Sequence, residues 1–527
     1  MTDSSSSKEN QNPKESPKKK RGFIDIFLNI LEKGGNALPH PATLFALFAL
    51  SVLVMSAVGF FLSWDATHPA TGEVIEVKNL LSGEGITLII EEMVNNFTGF
   101  APLGVVLVAM LGIGIAETSG LIGAFIRLLV LSAPKKILTF VIVLTGILAN
   151  AASDIGYVLL IPLAGVIFQA MGRHPFVGMA AAFAGVSGGF SANVIIGSID
   201  PLLAGLSEEA AHILDESYHV NPTANYYFMV ASTFLVAFLG TWITEKIVEP
   251  RFGKYNGDVE KEKIEPLNKK EKKGLLWSLA VLAGWIILVL SGLLPEGGIL
   301  RGSDGGLITS PVITGIIAFL FLVSATMGIV YGAINGVFKN DTDVANGMAI
   351  SLKTLSHYLV LVFFAAQFVA YFRWSNLGLI LAITGAETLV SANMGVIPLM
   401  IMFVMLAALI NMLMGSASAK WAIMAPIFVP IFMILGYSPE LSQAVFRIGD
   451  SVTNIISPMM SFFALIIAYF QKYDKNAGMG TIIATMIPYS IAFFIGWSIL
   501  LIIWILTGLP LGPGAEMFYD MSSATGG

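Results

Sequence analysis

Nine stretches of this chain are apolar over the length a helix needs to cross a bilayer, and two more run well beyond it. A hydrocarbon core of about 30 Å takes roughly 20 apolar residues of helix. Runs of that kind lie at 41–63, 96–118, 176–206, 223–247, 275–294, 308–336, 348–373, 441–471 and 478–508. The two longer stretches, 136–171 and 395–435, are interrupted at their centres by NAASD (150–154) and NMLMGSASAKW (411–421). Each reads as a re-entrant hairpin that enters and leaves on one side. Composition agrees: 55% of the 527 residues are hydrophobic and 12% charged, with a mean hydropathy of +0.79. The expected fold is an all-α polytopic membrane protein of about nine transmembrane helices plus two re-entrant helical hairpins.

The same composition excludes several functions. The net charge of -6 and the scattered Lys and Arg give no nucleic-acid footprint. There is no cysteine, and the six histidines show no paired ligand spacing, so no metal site is expected. No Walker motif is present, which argues against ATP coupling within the chain. Residues 1–22 are a disordered tail by composition, and FIDIFLNIL after KKKR reads as an interfacial amphipathic helix rather than a signal peptide.

Loop charge sets the orientation. The stretch 246–274 carries nine Lys and Arg, whereas 64–95 and 207–222 are acidic and nearly devoid of them. The first is expected in the cytoplasm and the others outside. Nine crossings from a cytoplasmic N-terminus put the C-terminus outside, and the chain after Leu509 has no Lys or Arg.

An internal repeat then emerges. Asn150 opens the first interruption and Asn193 follows in SANVII; Asn411 opens the second and Asn454 follows in VTNIIS. Both pairs are 43 apart (193 − 150 and 454 − 411). The hairpins would enter from opposite sides, so the halves, 23–247 and 337–508, are inverted. A basic linker (248–274) and connecting helices (275–336) separate them, and a periplasmic tail (509–527) follows. Inverted repeats with interrupted helices at matching positions mark the binding site of a secondary transporter.

The polar residues at those interruptions are the candidate site. Backbone that leaves the helix inside a bilayer must line protein or a water-filled cavity. In FAGVSGGFSANVIIGSIDP the glycines, Ser191, Asn193 and Pro201 read as a broken crossing, with packing between helices as the bland alternative. Charges weigh more, because one at the midplane costs roughly 2.5–3.5 kcal/mol. Arg447 and Asp450 lie three apart on one helix face, where they can pair, a neutralised structural pair being the bland alternative. Arg447 would grip a substrate carboxylate, with Asp450 either orienting it or titrating. Asp200 has no cation nearby in the sequence, so burial disfavours its charged form and makes it the expected proton carrier, with Asp154 at the first hairpin tip as a second. Asn150 and Asn454 would line the substrate path, and Trp421 would stack on an aromatic ligand, with ordinary packing as the equal alternative. Lys420 is expected to reach water.

The motifs NALPHPATLF (36–45), NFTGFAPLGVVLVAMLGIGIAETSGLI (96–122), GRHPFVGMAAAFAGVSGGFSANVIIGSIDPLLAG (172–205), MGSASAKWAIMAPIFVP (414–430) and RIGDSVTNIISPMMSFFALI (447–466) closely resemble the AbgT family of bacterial p-aminobenzoyl-glutamate transporters. The resemblance runs from about residue 30 to the end. It implies a homodimer in the bacterial inner membrane that imports this folate fragment or exports sulfonamide antimetabolites, with the proton gradient as driver and no bound cofactor. It also matches Asp200, Ser418, Trp421, Pro439, Arg447 and Asp450 to the family's proposed pathway. Na⁺ coupling is the open alternative, since Asn, Ser and Thr at paired helix breaks are good cation ligands. A channel suits opposed hairpins less well. An intramembrane hydrolase lacks a histidine base near the polar centres.

Overall fold

The computed structural model describes residues 39–521 apart from 70, 152–154, 256, 258 and 260–265. The N-terminal tail, the amphipathic segment, Asp154 and parts of the basic linker and C-terminal tail lie outside the described residues. Helices make up most of the described residues. The only strands among the described residues are Asp65–Thr67 and Val74–Glu76, a small antiparallel ribbon in the acidic loop 64–95.

Eight described helices are long and apolar enough to cross a membrane, or nine if the pair Leu121–Leu131 and Lys135–Ala149, bent by 107°, counts as one. The total agrees with expectation, but its members differ. The stretches 176–206 and 441–471 contain no continuous span, because each is broken near its middle. Conversely Ala417–Ile434, expected as a hairpin arm, is long enough to count. The helix Leu377–Ser391 is a shorter apolar element that the runs did not isolate.

The breaks have local causes. In the first, Pro175–Phe183 widens into a π-turn over Ala184–Gly188 and then unwinds until Ile199–Ala211 begins. Gly188 and Gly189 offer no side chain to hold the helix, and Asn193 Oδ1 takes the Val194 and Ile195 amides at 2.9 and 3.2 Å. In the second, Pro439–Asn454 stops before Pro458 and helix resumes at Phe463–Gln471.

The two halves repeat at the level of single bonds. Asn150 Nδ2 donates to the Gly189 carbonyl at 3.4 Å, and Asn411 Nδ2 donates to the Asp450 carbonyl at 2.7 Å. Each bond spans 39 residues, so an offset of 261 (411 − 150) carries one onto the other. Close packing repeats as well. A Cβ on Gly185 would strike the Val143 carbonyl, and one on Gly449 the Val404 carbonyl; both valines stand seven residues before the hairpin asparagine. Glycine is needed there because the arm and the broken helix touch backbone to backbone.

Candidate functional site

The two breaks meet each other. The Ser191 amide donates to Ser451 Oγ at 3.0 Å, from one broken helix to the other. Beside this junction lies a pocket of about 240 Å³ between the second hairpin tip and both breaks. Its walls include Tyr157, Phe190 and Phe462 from the aromatic side and Ser416, Ser418 and Asn454 from the polar side. Tyr157 and Phe462 stack with ring centroids 4.6 Å apart and planes inclined by 10°. Flat apolar walls facing a few hydroxyl and amide groups suit a ring carrying polar substituents.

Two buried ion pairs join residues next to the breaks, and they differ from the local pairing that the sequence allows. Arg447 does not pair with Asp450. Its Nη2 meets Asp200 Oδ1 at 2.6 Å, joining residues 247 apart across the repeat. Asp200 is therefore not without a cation: chain distance concealed one. Arg447 and Asp200 are 3% and 1% exposed, and Asp200 Oδ2 also accepts the Gly197 amide at 2.7 Å in the first turn of its helix, where the dipole favours a carboxylate. Arg447 Nε, equally buried, makes no hydrogen bond. An unused buried donor costs about 1–3 kcal/mol, and here it leaves an arginine with capacity for a further acceptor.

Asp450 turns to Lys420 instead. Lys420 does not reach water: it is 0% exposed, and its ammonium is held between Asp450 Oδ1 and Asn411 Oδ1. The Asn411 amide in turn donates to Thr453 Oγ1 at 2.8 Å and Asn454 Oδ1 at 2.9 Å. Asn454 Nδ2 reaches Asp450 Oδ2 at 3.4 Å.

The remaining expected residues divide. Ser418 and Asn454 line the pocket. Asn150 and Asn193 bond backbone at the first break, outside the pocket wall. Trp421 is wholly buried, stacked on Phe446 at 4.6 Å, and its Nε1 donates to Ser207 Oγ at 3.0 Å, so it packs the protein rather than facing the pocket. From Ser207 a polar chain runs through Gln443 (2.7 Å) to Asn225 (2.9 Å), which donates to the Glu440 carbonyl at 2.9 Å. Tyr218 closes it with a 2.8 Å bond to Glu440 Oε2. Gln443 and Glu440 were missed, although Glu440, Gln443, Arg447, Asp450 and Asn454 recur every three or four residues, a polar stripe on one helix face.

Among described residues one group could hold a metal ion: Glu208, His212 and His219, whose donor atoms lie within 4.8 Å of one another at the C-terminal end of Ile199–Ala211 and in the loop after it. His212 Nε2 is already engaged with the Tyr218 carbonyl at 2.9 Å, and none of the three lines the pocket.

Comparison with known proteins accords with this arrangement. The model of the AbgT putative transporter family matches residues 26–519. The p-aminobenzoyl-glutamate transport protein of Escherichia coli (strain K12) is 35% identical over 485 residues, 92% of this chain and 95% of that protein. The YdaH transporter of Alcanivorax borkumensis, described as having an unusual topology, superposes with a TM-score of 0.87 at 46% identity, covering 90% of this chain and all of that one. MtrF of Neisseria gonorrhoeae, described among a class of antimetabolite efflux pumps, superposes at 0.88 with 49% identity, covering 93% of this chain and all of that one. This protein is a multi-pass membrane transporter, not an enzyme, and it belongs to the AbgT family.

Proposed function

We propose that the chain is a proton-coupled secondary transporter of p-aminobenzoyl-glutamate or related aromatic compounds, sulfonamides among them. The observation that carries the reading is the pocket between the hairpin tip and the two breaks, with stacked aromatic walls, one lining residue (Ile199) adjoining Asp200 in the chain, and a buried Asp200–Arg447 pair. The substrate ring would lie against Tyr157 and Phe462, and its amide against Ser418 and Asn454. A glutamyl carboxylate would then compete with Asp200 for Arg447, whose Nε has no partner.

That competition supplies a route for coupling. Asp200 left without its arginine is a buried, unpaired carboxylate, which costs several kcal/mol unless it takes a proton. Substrate anion and proton would thus bind together, and rocking of one inverted half against the other would expose both to the opposite side. Sulfonamides share the ring but bring no carboxylate, so they would use the aromatic walls without this proton uptake. The reading includes a homodimer in the bacterial inner membrane with its N-terminus in the cytoplasm and its C-terminus in the periplasm; the Lys and Arg clustered at 246–274 support that orientation.

Binding titrations of purified protein in buffers of different ionisation enthalpy test the coupling step. About one proton should be taken up per p-aminobenzoyl-glutamate in the wild type and none in Asp200→Asn. Equal uptake by both would remove Asp200 from the mechanism.

A further inference from the structure

At the helix break in the second half of the repeat, Asn411 Oδ1 and Asp450 Oδ1 form a small cage of side-chain oxygens, and a lysine ammonium fills it. Asn411 Oδ1 and Asp450 Oδ1 both face the Lys420 ammonium, and Asp450 Oδ1 takes a hydrogen bond from no other group. Behind them stand Thr453 Oγ1 and Asn454 Oδ1, both fixed by the Asn411 amide, and Ser457 Oγ bonds the Asn411 carbonyl at 3.1 Å. The C-terminal ends of broken helices are where inverted-repeat transporters coordinate a monovalent cation, and carboxylate and amide oxygens are the hard donors such a cation takes.

The first half shows what the scaffold looks like without this charge pair. The offset of 261 carries Asp450 onto Gly189 and Lys420 onto Leu159 (450 − 261 and 420 − 261). The hairpin asparagine and its bond to the broken helix persist there, but the two matching positions, Gly189 and Leu159, carry neither anion nor cation. Asp450 and Lys420 therefore form one device added to a duplicated frame. A lysine that only snorkelled would keep its head in water; this one is wholly buried and ends in the cage.

We infer that Lys420 is a tethered cation occupying a Na⁺-type site, so that the second half needs no diffusible cation to neutralise Asp450. Removing the ammonium while leaving space exposes Asp450 and its companion oxygens, and a small cation takes its place. The consequence for coupling rests on the transporter reading above, whereas the binding of the cation does not.

The experiment is thermal unfolding of detergent-purified Lys420→Ala and Lys420→Gln in NaCl and in choline chloride at equal ionic strength, alongside the wild type and Lys420→Ala/Asp450→Asn. Na⁺ should raise Tm of both single variants by a few degrees, as a ligand at many times its Kd does. It should leave the wild type and the double variant unmoved. In proteoliposomes, Na⁺ should stimulate Lys420→Ala at least about fivefold, the low end of ordinary site coupling. An equal Na⁺ shift in the wild type overturns the inference, and that measurement needs no variant to fold. So does a lack of shift in the single variants, or rescue by ammonium but not Na⁺, which would make the cage a partner for hydrogen-bond donors only. Failure of transport with an intact Na⁺ shift would count against the proposed substrate and leave the tethered cation standing.

Discussion

Breaking the Asp200–Arg447 pair is the perturbation whose size the structure fixes best. In Arg447→Met the apolar chain keeps most of the side-chain volume, while Asp200 keeps one hydrogen bond, from Gly197, and loses its cation. With both groups almost sealed from solvent, the uncompensated carboxylate costs about 3–5 kcal/mol. Asp200→Asn strands the arginine, already short of a partner at Nε, by a comparable amount. The double variant Asp200→Asn/Arg447→Met leaves no stray charge and should recover at least about 2 kcal/mol of the summed loss, an interaction energy that a double-mutant cycle reads directly. Denaturation midpoints of the four proteins in detergent measure it. In binding assays Arg447→Met should weaken p-aminobenzoyl-glutamate by roughly 100-fold, since about 3 kcal/mol for a lost charged contact is two decades in Kd. Additive destabilisation in the cycle, or an unchanged Kd in Arg447→Met, would refute the reasoning.

Other expectations follow from single contacts. Tyr157→Ala and Phe462→Ala should each weaken an aromatic ligand by about 3- to 10-fold in Kd, the equivalent of roughly 0.5–1.5 kcal/mol for a ring pair, with folding monitored by unchanged elution on size exclusion. Trp421→Phe should lower Tm by removing the one donor that Ser207 Oγ accepts from, while leaving ligand Kd within about twofold, because the indole faces protein. Gly449→Val should reduce the yield of folded protein more than Gly480→Val, since a Cβ at 449 meets the Val404 backbone and one at 480 meets nothing. Burial holds His174 below its usual 6.5, with Asp474 opposing, and its neutral Nδ1 accepts the Phe176 amide at 3.2 Å. The folded state thus binds this proton less readily than the unfolded one, so the contribution is present above 6.5 and lost as pH falls below it. Tm should drop from pH 7 towards 5 in the wild type and drop less in His174→Asn, which caps the helix without titrating.

The crossings and hairpins were legible because twenty apolar residues in a row leave the backbone few choices. The repeat was legible from four asparagines, and the structure reduces it to one bond made twice, from Asn150 to Gly189 and from Asn411 to Asp450. The ion pairing was not. Arg447 and Asp450 share a face by sequence spacing, yet that face meets two neighbours, the start of Ile199–Ala211 and the tip of Ala417–Ile434, each offering its own charge. Asp200 lies 247 residues from its partner, beyond any local pattern. Lys420 was assigned to water because long cations usually find it, whereas the first turn of the hairpin arm aims it at the break. The aromatic walls were hidden differently: among so many aromatic residues, nothing local marks Tyr157, Phe190 and Phe462 as facing one space.

Uptake of labelled p-aminobenzoyl-glutamate into proteoliposomes, with a proton gradient and a sodium gradient imposed in turn, bears on the mechanism most directly. A proton gradient alone should drive saturable accumulation above equilibrium in the wild type, abolished in Asp200→Asn, and a sodium gradient alone should drive none. Accumulation that follows sodium and ignores pH, or flux that neither saturates nor accumulates, would contradict the coupling of Asp200 to substrate through Arg447.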